Sequence, residues 1–363
     1  MVGTDMTATA TREPSARGHG SSRRRRVSGH RLQERRAGWV FVAPAVVVLV
    51  VFLFAPIVMA AWVSLLDWNG QSSPFSGDAE FVGLDNYRNL LVDAGLLRGD
   101  FMLSVRNTLY YVLFGVTGVT VLSFALATAV NSWVLKGRGY FRTIFYFPAI
   151  TSSVAISVLF LFLFQGSGVV NVMLSWVGID GPSWFNDPRG VLHIVLSRFG
   201  MDAPPSWLAD NTLGGLSLWQ WVSGPSVAMC ALIALTIWAS SGTFMLFFLV
   251  GLQDIPIELE EAAAIDGAGA WRRFRHVTLP LMRRSVVLVI TLALISSWQV
   301  FDQVFILSQG APAKTTLTPA YISYVRSFGD GQFGVGAAVA FVLFAIIIVL
   351  TIVQRWIGRE RRA

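Results

Sequence analysis

Cysteine and histidine are scarce in this chain of 363 residues. The single cysteine, Cys230, excludes an internal disulfide, a cysteine zinc cluster and a CxxC redox pair. The four histidines are too scattered along the chain to form a metal-binding pattern: His19, His30, His193 and His276. The residue types that usually build metal centres and thiol redox sites are therefore not grouped in this sequence.

Charged side chains are also few. They make up 13% of the residues, whereas ordinary globular chains carry about 25%. Hydrophobic residues make up 54%, and the mean hydropathy is +0.59. So few charges cannot cover the surface of a water-soluble protein of this length. The composition excludes a soluble enzyme, a fibrous protein and a wholly disordered chain, and predicts a protein that crosses a membrane several times.

Six apolar stretches are long enough to cross a membrane, which takes roughly 20 residues for about 30 Å of hydrocarbon. Lipid offers no partner to a free backbone group, so each must be a helix, and the predicted fold class is an all-α integral membrane protein. The first stretch is too long for a cleavable signal sequence and has no small-residue cleavage site after it. The predicted spans are 39–64, 108–134, 143–164, 227–250, 285–307 and 335–356.

Most of the 28 basic residues lie in alternate connections and in the two tails. Positive charge marks the cytoplasmic side, so both termini are predicted to be cytoplasmic. Residues 1–37 are rich in Arg, Ser and Gly and are expected to be disordered. The run Arg23–Arg26 favours a tail facing anionic lipid over a nucleic-acid patch, and residues 357–363 form a second basic tail.

A tandem duplication lies in the predicted outer connection, 165–226. Residues 168–187 align with 190–210, with one extra proline in the second copy. Each copy predicts a short amphipathic helix, a glycine stop and a Pro-Ser-Trp turn. Two interpretations remain open: helices at the membrane interface with Trp184 and Trp207 in the aromatic belt, or an enlarged outer lip that contacts an extracytoplasmic partner.

The cytoplasmic connection 254–280 predicts two short helices. Pro256 and the acidic residues after it suit a helix start, and Gly267 permits a sharp break. The second helix carries Trp271 and Phe274 three positions apart, and Pro280 is expected to end it. Three arginines flank the two aromatic residues: Arg272, Arg273 and Arg275.

This connection resembles the EAA loop of ABC importer permeases, whose pattern is E-A-A-x3-G-x9-I-x-L-P. The matching residues are Glu261, Ala262, Ala263, Gly267, Leu279 and Pro280. Only Val277 departs, since isoleucine is usual there. Segments 81–91, 142–150 and 301–312 are similar to those of sugar-uptake members, of the maltose-transporter first-permease type. The resemblance covers residues 39–356 and implies the type I importer permease fold with six transmembrane helices.

The resemblance also implies partners. The helix after the glycine, by position 268–276, would dock into a separate ATP-hydrolysing subunit, with Trp271 and Phe274 as apolar anchors. The alternative is a basic amphipathic helix on anionic lipid. The sequence has no G-x-x-x-x-G-K-[ST] loop, so the chain is expected to be no enzyme and to hold no cofactor, ATP and Mg being used by the partner. The expected partners are a second permease subunit, two ATP-binding subunits, an extracytoplasmic solute-binding protein and membrane lipid, but no nucleic acid.

Polar residues inside a span are candidates for function. At the end of the fifth predicted span, Gln299, Asp302 and Gln303 are expected to share one helical face. Trp298 and Phe301 neighbour them. Amide, carboxylate and aromatic groups suit a sugar, although polar contacts between helices would explain them as well. Gln165, Thr151, Ser152 and Ser153 are weaker candidates.

These observations predict a permease subunit of an ATP-driven importer in the bacterial plasma membrane, carrying a mono- or oligosaccharide delivered by a binding protein. Glycerol 3-phosphate or another small polar solute is the alternative cargo. A secondary transporter is less favoured, because it should show inverted repeats and several buried acids. An integral-membrane glycosyltransferase would need acidic pairs, and Asp187 and Asp210 are isolated.

Overall fold

The computed structural model describes residues 38–77, 79–131, 137–200 and 205–358. The tail predicted to be disordered, 1–37, and residues 359–363 of the basic tail lie outside this described part. The chain divides into two units, Met1–Met59 and Ala60–Ala363. Helices dominate the described residues of both units, as the composition predicts.

The described residues of the first unit lie in helix α1 (Gly38–Val63), which is apolar and 26 residues long. A π-helical turn, Val50–Phe54, precedes Pro56 in this helix. Proline lacks an N–H group and its ring crowds the carbonyl one turn back, and the wider π turn gives that ring room. At 1.5 Å per residue the helix is long enough to cross about 30 Å of hydrocarbon.

After the end of α1, the second unit continues with a two-stranded hairpin and four helices. Leu66 pairs with Phe81 in the antiparallel hairpin. The elements are β1 (Leu66–Asp67), β2 (Glu80–Phe81), α2 (Asp85–Leu91), α3 (Leu96–Asn131), α4 (Arg138–Ile150) and α5 (Ser153–Leu163). Helix α3 has 36 residues and begins well before the second predicted span, 108–134, because its polar first turns contain good helix formers.

The third predicted span, 143–164, is a bent pair of helices. Helices α4 and α5 meet at 98°. Thr151 and Ser152 both have extended backbone, and the N–H of Thr151 reaches back only to the carbonyl of Pro148. The i→i−4 ladder therefore stops at this point, and neither helix alone has the roughly 20 residues that a span requires.

The described part of the outer connection contains four helices of five to eight residues and a second hairpin. Its elements are α6 (Val169–Trp176), α7 (Val191–Arg198), α8 (Ser206–Asp210), β3 (Thr212–Leu213), β4 (Leu216–Ser217) and α9 (Leu218–Val222). Ser217 and Gln220 form a capping box that starts α9, in which each side chain satisfies a free backbone N–H of the first turn.

The C-terminal half has one straight apolar helix at each end and several broken ones between them. Its helices are α10 (Val227–Gln253), α11 (Ile257–Ile265), α12 (Ala270–Leu281), α13 (Arg283–Trp298), α14 (Asp302–Leu307), α15 (Pro319–Tyr324) and α16 (Phe333–Gly358). Residues Phe274–Thr278 of α12 form a π turn, and another π turn, Val325–Gly329, follows α15.

Two expectations about the fifth span are wrong. Pro280 does not end a helix, because it lies inside α12 and the chain bends by 66° after it, at Met282. The predicted span 285–307 is not one helix either. Helix α13 ends at Trp298, Gln299 caps it, and α14 starts afresh at Asp302.

The core lies where α3, α10, α13 and α16 pack together, and α3 runs along α10 over much of its length. Tyr111, Met229, Leu232 and Val339 are buried there. By length and composition, four described helices can cross a membrane, and up to six spans result if each bent pair counts as one. This bundle forms the walls of the cavities described below.

Candidate coupling loop and translocation cavities

The loop 254–280 is built on helix α11. Pro256 occupies the position before its first residue, and Glu258 and Glu260 lie in its first turn. Carboxylates there interact favourably with the free N–H groups of the helix start. Glu261 and Ala262 are exposed, and Ala263 is half-buried.

Gly267 ends α11 with a hydrogen-bond pattern that explains its spacing from the alanines. The N–H of Ala268 donates to the carbonyl of Ala263 (2.9 Å), and the N–H of Gly267 donates to that of Ala264 (3.1 Å). This is a Schellman motif, which requires a left-handed residue just past the helix. Gly267 supplies it with φ of +79°.

Helix α12 presents two stacked aromatic rings. The ring centroids of Trp271 and Phe274 lie 5.4 Å apart, and Phe274 also lies 5.7 Å from Phe124 of α3. Trp271 is 68% exposed, so one ring anchors the loop to the bundle and the other faces outward. The helix predicted over 268–276 starts at Ala270 and continues past His276 to Leu281.

Positive charge surrounds the exposed ring. Arg272 and Arg275 are exposed and Arg273 is half-buried. None of the three forms a salt bridge with a residue of the described part. Leu279 and Pro280 are also exposed. An apolar ring within a basic surface can bind a groove that has an apolar floor and an acidic rim.

Two adjoining cavities of about 380 and 300 Å³ lie between α3, α4, α5, α10 and α13. Ser240, Phe244, Ser296 and Gln303 line both of them. The remaining polar lining residues of the two cavities are Tyr111, Thr151, Ser153, Thr236, Thr243, Ser297, Gln299, Asp302 and the backbone around them. Among the described residues, no Lys, Arg or His lines either cavity, and Asp302 is the one acid.

Four of the five predicted substrate residues come together at the first cavity: Gln299, Phe301, Asp302 and Gln303. They do so because the helix breaks between Trp298 and Asp302, and not because they share a helical face. Trp298 is not at the cavity. It is 1% exposed and packs against Leu343 and Ile347 of α16, and its Nε1 has no hydrogen-bond partner among the described residues.

The polar face of α10 was not among the predicted site residues. Thr236, Ser240 and Thr243 line the cavities, and their i, i+4, i+7 spacing puts them on one side of the helix. That spacing was a usable signal within an otherwise apolar span. Of the weaker candidates, Thr151 and Ser153 line the second cavity, whereas Gln165 lines neither.

A third cavity, of about 460 Å³, lies beside the loop 309–317. Asp100 and Lys314 form an ion pair of 2.6 Å at its edge, and Arg326 and Asp330 form another of 2.9 Å. None of the predicted substrate residues lines it.

Buried polar residues of α3 hold two loops in place, the end of the outer connection and the loop 309–317. Nη2 of Arg106 donates to Oγ of Ser223 (2.8 Å) and to the carbonyl of Gly224 (3.1 Å). Nδ2 of Asn107 donates to the carbonyl of Leu317 (3.1 Å). These bonds join the loops on one side of the bundle to the helix that forms a cavity wall.

The family profile described as "Binding-protein-dependent transport system inner membrane component" matches residues 102–363. The chain belongs to this family. Membership confirms the identification of an inner-membrane permease component, and it confirms that the chain belongs to a transport pathway and is not an enzyme.

Two relatives of this inner-membrane component are similar to it in sequence over nearly their whole length. The multiple sugar-binding transport system permease protein MsmF of Streptococcus mutans is 31% identical over 87% of this chain and 93% of its own. The lactose transport system permease protein LacF of Rhizobium radiobacter is 30% identical over 90% of this chain and 95% of its own.

A solved structure shares the fold of this permease component. The crystal structure of a bacterial ABC transporter that imports the acidic polysaccharide alginate contains a chain with a TM-score of 0.68. It is 19% identical and covers 92% of this chain and 100% of its own length. The predicted all-helical importer permease fold is therefore confirmed, with four to six apolar helices.

Proposed function

We propose that this permease component carries a neutral mono- or oligosaccharide across the plasma membrane of a bacterium. The lining of the two adjoining cavities is the observation that carries the proposal. Hydroxyl and amide groups can replace the hydrogen bonds that sugar hydroxyls make with water, and Phe244 and Phe301 offer ring faces. Relatives named for multiple-sugar and lactose transport support the same cargo.

The alternative cargo, glycerol 3-phosphate, has no complementary group in these cavities. Phosphate sites in proteins use Arg, Lys or clustered backbone N–H groups, and no basic described residue lines either cavity. The carboxylate of Asp302 would repel a phosphate.

Gln303→Leu tests the pathway, because it removes an amide shared by both cavities while nearly keeping side-chain volume. In proteoliposomes with the complete importer, we expect uptake of a transported sugar to fall about tenfold, the effect of losing roughly 1.4 kcal/mol of hydrogen bonding. Gln71→Leu is the control, since Gln71 is exposed in a loop and lines neither cavity. Unchanged uptake in Gln303→Leu, or saturable uptake of glycerol 3-phosphate but of no sugar, would contradict the proposal.

We also propose that the component assembles with a second permease, two ATP-binding subunits that use ATP and Mg, and an extracytoplasmic solute-binding protein. The loop 254–280 would be cytoplasmic and would receive the ATPase on the face of α12 that carries Trp271. The stacked aromatic pair, the three arginines and the Schellman break at Gly267 support this role. Residues 38–356 would form the six-span permease domain with both termini in the cytoplasm.

Trp271→Asp tests the docking face. The ring is 68% exposed, so its loss should leave the fold intact, while a carboxylate beside an acidic rim should abolish co-purification of the ATPase and sugar uptake. Trp207→Asp is the matched control, since Trp207 is 63% exposed but belongs to the outer connection. Normal ATPase recovery with Trp271→Asp would show that the ATPase binds elsewhere.

A further inference from the structure

The helices of the two copies of the duplicated segment have near-identical backbones. Helices α6 and α7 each have eight residues and follow a glycine with extended backbone, Gly168 or Gly190. Each ends on a residue whose N–H reaches the carbonyls three and two residues before it, and the end residues have matching backbone angles: Val177 at φ −99°, ψ 14° and Phe199 at φ −98°, ψ 15°. The sequence repeat is therefore a repeat of structure.

Helix α6 presents its apolar side outward. Five residues at i, i+3, i+4, i+7 and i+8 form one stripe, and all are between 45% and 77% exposed: Val169, Val172, Met173, Trp176 and Val177. The equivalent positions of α7 are Val191, Ile194, Val195, Arg198 and Phe199, of which Val191, Val195 and Phe199 are exposed. Such a stripe normally packs against a core or an apolar surface.

Hydrogen bonds on the opposite side hold each helix in this orientation. Asn171 donates to the carbonyls of Gly166 (3.0 Å) and Pro182 (3.3 Å), and it accepts from Nε1 of Trp184 (2.7 Å). In the second copy His193 stands in place of this asparagine, and backbone hydrogen bonds hold the helix instead. The N–H groups of Val191 and Leu192 donate to the carbonyls of Pro225 (3.0 Å) and Ser223 (3.1 Å).

The helix that precedes α6 in the chain also exposes apolar side chains. Helix α5 ends at Leu163, only a short turn before α6, and exposes Val154, Leu159 and Phe162. Because the chain is an inner-membrane component, apolar side chains exposed on this bundle helix are covered by lipid. Only five residues separate the end of α5 from the start of α6, so the stripe begins a short distance along the chain from that apolar surface.

Differences in side-chain size between the two copies favour lipid over a protein as the surface that covers the stripes. Trp176 corresponds to Arg198, and Val177 corresponds to Phe199. A close-packed protein interface is sensitive to changes of this volume, whereas lipid adapts to them. Tryptophan and arginine also share one preference, since both are favoured at the boundary between headgroups and acyl chains.

We propose that α6 and α7 are paired interfacial helices that lie in the headgroup–acyl boundary of the membrane, in the outer leaflet under the topology proposed above. They would widen the outer rim of the permease along the bilayer surface. The proposal does not depend on the identity of the cargo.

Spin-label accessibility tests it on the complete importer in nanodiscs of phosphatidylethanolamine and phosphatidylglycerol. Single cysteines are introduced into a Cys230→Ala background as Val172→Cys, Trp176→Cys and Val195→Cys. Ser175→Cys is the control, because Ser175 is exposed, adjacent to Trp176 and off the stripe. We expect collisions with oxygen to exceed collisions with a water-soluble nickel chelate several-fold at the three stripe positions, and the reverse at Ser175→Cys.

Three outcomes would overturn the proposal. Access by the nickel chelate at the stripe would show that it faces water. Exclusion of both reagents would show that a protein, such as the second permease, covers it. Protection that arises only after a solute-binding protein is added would assign the stripe to that partner. Because every substituted stripe residue is exposed, the variants should assemble normally, and recovery of the complete importer verifies this.

Discussion

Gly267 shows how one backbone angle sets the geometry of the loop 254–280. Its φ of +79° is needed for the Schellman end of α11, and a Cβ added there would meet no atom within 4 Å. The effect of a substitution is therefore conformational and not steric. A left-handed residue other than glycine costs roughly 1–2 kcal/mol.

We predict that Gly267→Ala weakens binding of the ATPase about 5- to 30-fold, because that energy reduces the fraction of loops in the docking conformation. Gly267→Asn should be intermediate, since asparagine tolerates the left-handed region better. Gly269→Ala is the matched control, because Gly269 has φ of −64° and open space around it. Titration of the purified ATPase onto the permease in nanodiscs measures the change. Equal affinities for Gly267→Ala and Gly269→Ala would exclude a role for this turn in docking.

Some residue positions could be predicted from the sequence and others could not. The left-handed Gly267 follows from its distance to the alanines and from local helix chemistry. Gln299, Asp302 and Gln303 were expected on one continuous helical face, yet the helix breaks among them and the cavity still collects them. The burial of Trp298 in the core could not be predicted, because it depends on α16, which is distant in the chain.

At the scale of secondary-structure elements, backbone contacts hold the second copy of the repeat in place. A Cβ on Gly190 would lie 2.1 Å from the carbonyl oxygen of Ser223, and Arg106 fixes Ser223 to α3. The start of α7 therefore cannot move away from residues 223–225 without losing the hydrogen bonds of Val191 and Leu192.

We predict that Gly190→Ala detaches the start of α7, because the added methyl group and the carbonyl cannot occupy the same space. Hydrogen–deuterium exchange should accelerate across residues 190–198 and stay unchanged in α6. Gly166→Ala serves as the control, since a Cβ there meets nothing within 4 Å. Unaltered protection of α7 in Gly190→Ala would mean that the contact with Ser223 does not anchor the helix.

Apolar windows located the membrane helices but not their bends. The bends after Ile150 and at Met282 depend on a few backbone angles, which hydropathy does not report. Hydrogen bonds between residues that are distant in the chain also could not be predicted from the sequence. Arg106 bonds to Ser223 and Gly224, and its position inside a long helix gave no indication of these distant partners.

At the scale of the whole molecule, the two bent pairs determine how many times the chain crosses the membrane. Four helices are long enough on their own, and the number of spans rises to six if the pairs α4–α5 and α12–α13 each count as one. With the six spans proposed above, the C-terminus returns to the side of the N-terminus. The duplicated segment and the loop 254–280 then lie on opposite sides, since helix α10 separates them in the chain.

This arrangement predicts opposite labelling at two exposed acids, Asp180 within the first copy and Asp254 at the end of α10. In a Cys230→Ala background, a membrane-impermeant maleimide should label Asp180→Cys in intact spheroplasts and Asp254→Cys only after permeabilisation. Both sites are exposed, so slow labelling reflects the membrane and not burial. Labelling of Asp254→Cys from outside would place α11 and α12 beyond the reach of a cytoplasmic ATPase. Labelling of both sites from one side would mean that α10 does not cross the bilayer, even though its 27 residues exceed the roughly 20 that a span requires.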